Sequence, residues 1–294
     1  MADLFTAPLR ADAEFKRLAN AIREGVTPCS VFGVSDSQKP HMTAALASSR
    51  PVLYVTYGPE RAEAAANDLA VYLGREAVVL PARQTLLGAQ MRSRETDYQR
   101  VAALCRLLDG ETVVCADVEA LLQSTARPAE LKQARLTLDL SSHMEPVRLA
   151  ELLVRMGYIQ EEPVQGQGQY AVRGGIVDIF PVGFENPVRV EFFDDEIDSI
   201  RLLDAVTQRS VSRLERLELL PARELCPDKK QCRDAGAKLQ SALHVFLKKA
   251  RPEAGEQAGN LFEAAAEALS DGDSSAADDS LFPFFEGGSV LDFL

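Results

Sequence analysis

Tyr170-Ala-Val-Arg-Gly-Gly-Ile-Val-Asp-Ile-Phe-Pro181 and, shortly after it, Pro187-Val-Arg-Val-Glu-Phe-Phe-Asp-Asp-Glu-Ile-Asp-Ser-Ile200 read as consecutive short strands joined by tight turns. β-Branched and aromatic residues fill the runs, and Gly174-Gly175 and Asp194-Asp195 supply the turn chemistry. Within Val188–Phe193 the two-residue period puts Val188, Val190 and Phe192 on one face, and Arg189, Glu191 and Phe193 on the other. The first set is core. The second places a large aromatic beside an arginine on the polar face, the composition of a protein-binding hot spot. The pattern leaves open whether Phe193 is exposed or covered by a loop or helix of its own domain. Arg173, just before the glycines, is a second arginine that a neighbouring strand could bring alongside. Asp194-Asp195-Glu196 fits a solvated hairpin better than a metal site, because adjacent carboxylates on a strand point to opposite sides.

Around this stretch the pattern is α+β. A helix over Pro146–Met156 ends at Gly157, and strands are expected at 158–162, 170–172, 176–180, 188–193, 196–203 and 215–220. Upstream the rhythm differs. A helix through Phe15, Leu18, Ala19 and Ile22 closes at Gly25, and Cys29–Val34 reads as a short buried strand. A helix is expected over His41–Ala47, a strand over Pro51–Tyr57, a helix opened by Pro59 and running to Leu73, and a strand over Ala77–Leu80. A helix through Val101, Leu104, Cys105 and Leu108 precedes a strand at Thr112–Ala116, with Asp117 placed to cap the next helix. Strands alternating with helices imply a parallel sheet covered on both faces. Downstream of Pro221 helices return, at 237–249 and 261–269. Asp271–Ser280 reads as a polar, disordered linker, and Leu281–Phe285 as a buried apolar element. The chain stops at Leu294 inside an apolar stretch, as a fragment of a longer protein would.

Bulk composition narrows the function classes. At 46% hydrophobic and 26% charged, the 294 residues have the make-up of a globular protein. No apolar run approaches the roughly 18 residues that cross a bilayer, and the start lacks a signal peptide's basic and apolar regions. A cytoplasmic monomer is expected. Five scattered cysteines without a Cys-x-x-Cys pair, and three histidines, argue against a zinc site. Residues 1–137 carry 16 basic and 16 acidic groups, and the rest of the chain is acidic, so no basic face points to DNA.

Gly33-Val-Ser-Asp-Ser-Gln-Lys-Pro40 sits between the Cys29–Val34 segment and a helix, where a phosphate loop of the form Gly-x4-Gly-Lys-Ser/Thr belongs. Gly33 and Lys39 are in register. Gln38 replaces the glycine that curls around a phosphate, and Pro40 replaces the hydroxyl that holds Mg²⁺ and removes an amide donor. Asp36 sets a carboxylate where phosphate charge would lie. The loop is expected to be inactive, so no ATP or metal cofactor is assigned and no catalytic residue is named.

The stretch 170–200 closely resembles domain 2 of the UvrB-like module, found in the excision-repair protein UvrB and at the N-terminus of bacterial transcription-repair coupling factors. Weaker similarity runs through Gln208-Arg209 to Pro221, Val113–Val118 and the loop at Gly33. The failed loop, and a segment from Leu80 to Tyr98 too short for UvrB's tyrosine-rich DNA hairpin, favour the coupling factors. The resemblance implies a degenerate helicase-like parallel-sheet domain 1A (1–137), an inserted antiparallel α+β domain 2 (138–221) and a helical domain 1B (222–294). It implies that domain 2 recruits UvrA to stalled RNA polymerase in transcription-coupled nucleotide excision repair, with the UvrA-contacting positions falling on Arg173, Arg189 and Phe193. It further implies that C-terminal domains of the parent mask this surface, and that the parent meets RNA polymerase, DNA, ATP and Mg²⁺ through parts absent from this chain. The competing readings are a UvrB-type ATP-dependent helicase and a domain that only shields its neighbours.

Overall fold

A computed structural model describes residues 2–47, 50–84 and 94–294. In chain order the first elements are α1 (Ala2–Ala11), α2 (Ala13–Arg23), α3 (Gln38–Leu46), β1 (Val52–Thr56), α4 (Pro59–Leu73) and β2 (Val78–Leu80). They are followed by α5 (Glu95–Leu108), β3 (Val113–Asp117), α6 (Val118–Leu122), α7 (Pro128–Gln133), β4 (Leu136–Asp139) and α8 (Pro146–Arg155). Next come β5 (Ile159–Gln160), β6 (Gln169–Arg173), β7 (Ile176–Phe180), β8 (Val188–Phe193) and β9 (Glu196–Leu203). β10 (Ser210–Arg213), β11 (Arg216–Leu219), α9 (Lys229–Leu247) and α10 (Pro252–Ser270) complete the regular structure, with 3-10 turns at Ser274–Ala276, Asp279–Phe284 and Val290–Phe293. Two compact units result. One gathers Met1–Arg83, Arg106–Gln123 and Val290–Leu294; the other gathers Gln84–Cys105 and Ser124–Ser289.

In the first unit β1, β3 and β2 form a parallel sheet in that order. Every residue of β3 is buried, and Val113 and Cys115 meet Ala62, Ala65, Ala66 and Leu69 of α4 and Ala44 of α3. Alanines at the contact let the helices approach the strands closely. Burial pushes the Cys115 thiol up to about 12. Pro59 starts α4, and Gly74 ends it in the left-handed conformation. Asp117 closes β3 and caps α6, its carboxylate accepting from the Ala120 amide at 2.7 Å.

Two expectations fail here. Cys29–Val34 is not a buried strand: it pairs with no strand of the sheet, and Val31 and Phe32 lie exposed. Gly33, at φ 75°, breaks the extended path that a ladder needs. The helix expected from His41 starts at Gln38 instead.

The second unit holds a six-stranded sheet ordered β10-β9-β8-β7-β6-β5, antiparallel except for the β5–β6 pair. One face is core. Leu149, Leu153 and Met156 of α8 and its C-terminal end pack with Val177, Ile179, Val188, Val190, Ile197 and Ile200. Burying each such side chain contributes about 1.5–3 kcal/mol. Strict alternation back from Ile200 would turn Asp198 into this core. A bulge prevents it, since Glu191 pairs with Ser199 but Phe192 pairs with Ile197. The extra residue leaves Asp198 exposed and buries Ile197. The strand expected at 215–220 is β11, whereas its partner β4 and the strand β10 were not anticipated from the sequence, each being a run of only four residues.

The segment Asp271–Ser280 is not a disordered linker. Asp273 and Asp278 accept from the amides of Ser275 and Ser280, each at 2.8 Å, and so begin 3-10 turns. Arg223 donates to the carbonyls of Ser274 (2.7 Å), Ala277 and Arg155 (3.1 Å). Low apolar content misled here because aspartates act as caps and an arginine from elsewhere satisfies the backbone. The expected apolar element is present, with Leu281 and Phe282 buried against α9 and α10. Gly157 ends α8 at φ 88°, where a Cβ would lie 2.6 Å from Arg223 Cγ. Gly157→Ala is therefore expected to lower stability by about 1–2 kcal/mol through the left-handed backbone alone. Displacing Arg223 should also speed proteolysis at 271–280. Urea unfolding and timed digestion measure the two effects.

Beneath these segments lies a buried ionic junction. Arg100 Nε donates to Glu224 Oε2 at 2.7 Å, and both side chains are 1% exposed. Glu224 Oε1 accepts from the Ala126 amide at 3.3 Å, and Asp279 accepts from the amides of Glu224 (3.1 Å) and Leu225 (2.9 Å).

Candidate functional site

The face of the six-stranded sheet opposite α8 carries the polar set. β6–β7 pairing sets Arg173 opposite Ile176 and Ala171 opposite Asp178; β7–β8 pairing sets Asp178 opposite Arg189. Directly paired residues share a face. Arg173 and Arg189, separate in sequence, thus converge on one carboxylate. Asp178 Oδ1 accepts from Arg189 Nε at 2.6 Å, and Oδ2 accepts from Arg189 Nη2 at 2.9 Å and from Arg173 Nη2 at 2.6 Å. The Asp178 side chain is 1% exposed, whereas Arg173 is 47% and Arg189 25% exposed. Its hydrogen bonds to the Asp178 carboxylate, above all, hold Arg189 above the ordinary arginine value. Arg173 also lies 3.4 Å from Glu162.

A second cluster continues the row. Glu191 Oε2 accepts from Ser199 Oγ (2.5 Å) and pairs with Arg201 Nη2 (3.0 Å), so Arg201, directly opposite Arg189, has its own counterion. At the end of β8, Phe193 is 77% exposed, and neither a loop nor a helix covers it. Phe192 packs against the core. Asp194, at φ 60°, makes the turn into β9. Gly175 lets the preceding hairpin close on β8: its carbonyl accepts from the Phe192 amide at 2.8 Å, and a Cβ there would meet the Phe192 carbonyl at 3.0 Å. The structure therefore brings Arg173 and Arg189 together and leaves Phe193 on the same open face. Asp178, which joins the two arginines, was passed over by the sequence reasoning. Its signal was one acid in the apolar run Ile176-Val-Asp-Ile-Phe180.

In the first unit the loop Gly33–Pro40 has its own geometry. Gln38 is helical, not at positive φ, and its side-chain oxygen accepts from the Ser35 amide (2.9 Å). Lys39 Nζ is held by Asp36 at 2.8 Å, which keeps the Asp36 carboxyl below the usual aspartate range. Pro40 is buried in the first turn of α3. Asp36 also faces Arg61 at 3.5 Å, and Arg61 lies over the Tyr57 ring. Among the described residues no group of three or more His, Cys, Asp or Glu could hold a metal, and no helix is long and apolar enough to cross a membrane. The expected absence of a UvrB-like hairpin concerns residues 80–98, of which 85–93 lie outside the described residues.

Residues 136–225 match the family model of the UvrB interaction domain. The match covers 90 of the 294 residues. The matched segment begins at β4, contains α8 and the whole six-stranded sheet, and ends beyond β11. Arg173, Asp178, Arg189 and Phe193 all lie on its open face. The chain is also similar to transcription-repair-coupling factors. It is 31% identical over 250 residues to that of Bacillus subtilis (83% of this chain, 21% of the relative). It is 30% identical over 228 residues to that of Myxococcus xanthus (74% and 19%), and 37% identical over 117 residues to that of Escherichia coli (40% and 10%). The chain spans about a fifth of the length of the first two relatives.

Proposed function

We propose that this chain is the UvrA-recruiting module of a transcription-repair coupling factor, acting in transcription-coupled nucleotide excision repair. The observation that carries this reading is the open face of the UvrB interaction domain, where two arginines held by one carboxylate share a face with an uncovered phenylalanine. Such a face suits a protein partner that offers carboxylates and an apolar pocket. On this reading the chain works in the bacterial cytoplasm as a monomer and hydrolyses no ATP itself. Translocation on DNA, contact with RNA polymerase and use of ATP and Mg²⁺ belong to the remaining four-fifths of the relatives' length. The degenerate helicase-like ancestry of the first unit is part of the proposal, supported by its parallel sheet and by a loop at the expected place.

Calorimetry with purified UvrA tests the docking claim directly: saturable binding by the chain is expected, and no heat at high micromolar concentrations would end it. Titration with ATP and Mg²⁺ is expected to give no binding, since Lys39 is neutralised by Asp36 and Gln38 fills the loop. Micromolar ATP affinity would favour the UvrB-type helicase reading instead.

A further inference from the structure

Asp178 is buried, charged and placed so that no partner can touch it, yet it receives all three of the closest hydrogen bonds made by the two docking arginines. It fixes Arg189 by two nitrogens and Arg173 by one. Among the described residues, Nη1 of each guanidinium is left without a partner. Those two nitrogens remain available to a further acceptor, on side chains that are 47% and 25% exposed.

We infer that Asp178 is the positioning and specificity-setting residue of this docking site. It holds the two guanidinium groups in one geometry suited to a protein carboxylate, and it cancels charge that would otherwise attract polyanions. This rests on the UvrA-docking reading. Two adjacent arginines without a counterion bind phosphate readily, and phosphate contacts dominate non-specific nucleic-acid binding. With Asp178 between them the pair carries a net charge of +1, and Glu162 beside Arg173 reduces it further. Two independent effects follow from one carboxylate: ordered donors and a muted positive field.

Asp178→Asn separates these effects from simple structural support. The amide has the same shape, and both arginines are exposed enough to turn into water, so the fold is expected to survive. Affinity for UvrA should fall roughly tenfold or more, the scale of a lost charge-assisted hydrogen bond. In the same variant, fluorescence anisotropy with a single-stranded oligonucleotide at low salt should show tighter binding than wild type. Its salt dependence should steepen by about 0.7 in logarithmic slope for one additional phosphate contact. A merely structural carboxylate would lower UvrA binding in step with the unfolded fraction and leave the oligonucleotide unaffected. UvrA loss together with oligonucleotide gain upholds the assignment; either change without the other, or neither, overturns it. If wild type fails to bind UvrA while Asp178→Asn still gains oligonucleotide affinity, the docking reading has failed and Asp178 keeps only its charge-cancelling role, which overturns its assignment as a positioning residue for UvrA.

Discussion

Phe193→Ala should weaken UvrA binding by about 2 kcal/mol or more, roughly thirtyfold, while leaving the unfolding midpoint where it was. The separation of the two effects is the content of the prediction. Phe193 is 77% exposed and outside the core cluster, so truncation opens no cavity. An aromatic of this size at the centre of an interface, by contrast, loses its whole contact area when cut to alanine. Arg189→Ala should match it in affinity but also cost some stability, because it leaves the Asp178 carboxylate, buried at 1%, with Arg173 as its remaining partner. Calorimetric affinities beside urea midpoints decide it. Wild-type affinity in Phe193→Ala would remove this face from the docking site.

The second large effect concerns folding. Glu224→Gln removes the carboxylate that pairs with Arg100 Nε at 2.7 Å, in a site where both side chains are 1% exposed. Breaking a buried pair in this way costs about 3–5 kcal/mol, a large part of a typical domain's 5–15 kcal/mol. Replacing both partners together, Arg100→Met with Glu224→Leu, should recover much of that loss, because the ion pair is then removed as a unit. Urea unfolding followed by circular dichroism checks both variants. A loss below about 1 kcal/mol in Glu224→Gln would show that the charge is not in fact desolvated.

These two sites differ in how far the sequence discloses them. Phe193 and Arg189 are legible because alternation along one strand is a local property, and β8 keeps it from Val188 to Phe193. The α4 boundaries are legible for a similar reason, since Pro59 and Gly74 mark them chemically. Asp178 required knowing which residues β7 faces across two neighbouring strands, and pairing register is not written in any one of them. Glu224 and Arg100 are farther apart still, and each alone looks like an ordinary surface charge. Cys29–Val34 shows the converse error: an apolar run suggested a strand, but a strand exists only where a neighbour supplies a ladder. Asp271–Ser280 shows that polarity is not disorder when the polar groups bond to the backbone beside them.

The row of charges across the open face has a kinetic corollary. Arg173, Arg189 and Arg201 stand against Glu162, Asp178 and Glu191, three cations interleaved with three anions within hydrogen-bonding or ion-pair distance. Beyond a Debye length of about 8 Å at physiological salt, such a row presents almost no field. The row itself therefore adds little steering to an encounter, and what response to ionic strength remains comes from the rest of the chain, whose net charge is −12. On the proposed docking reading, this face contributes to tightness through how long the complex lasts once Phe193 is seated.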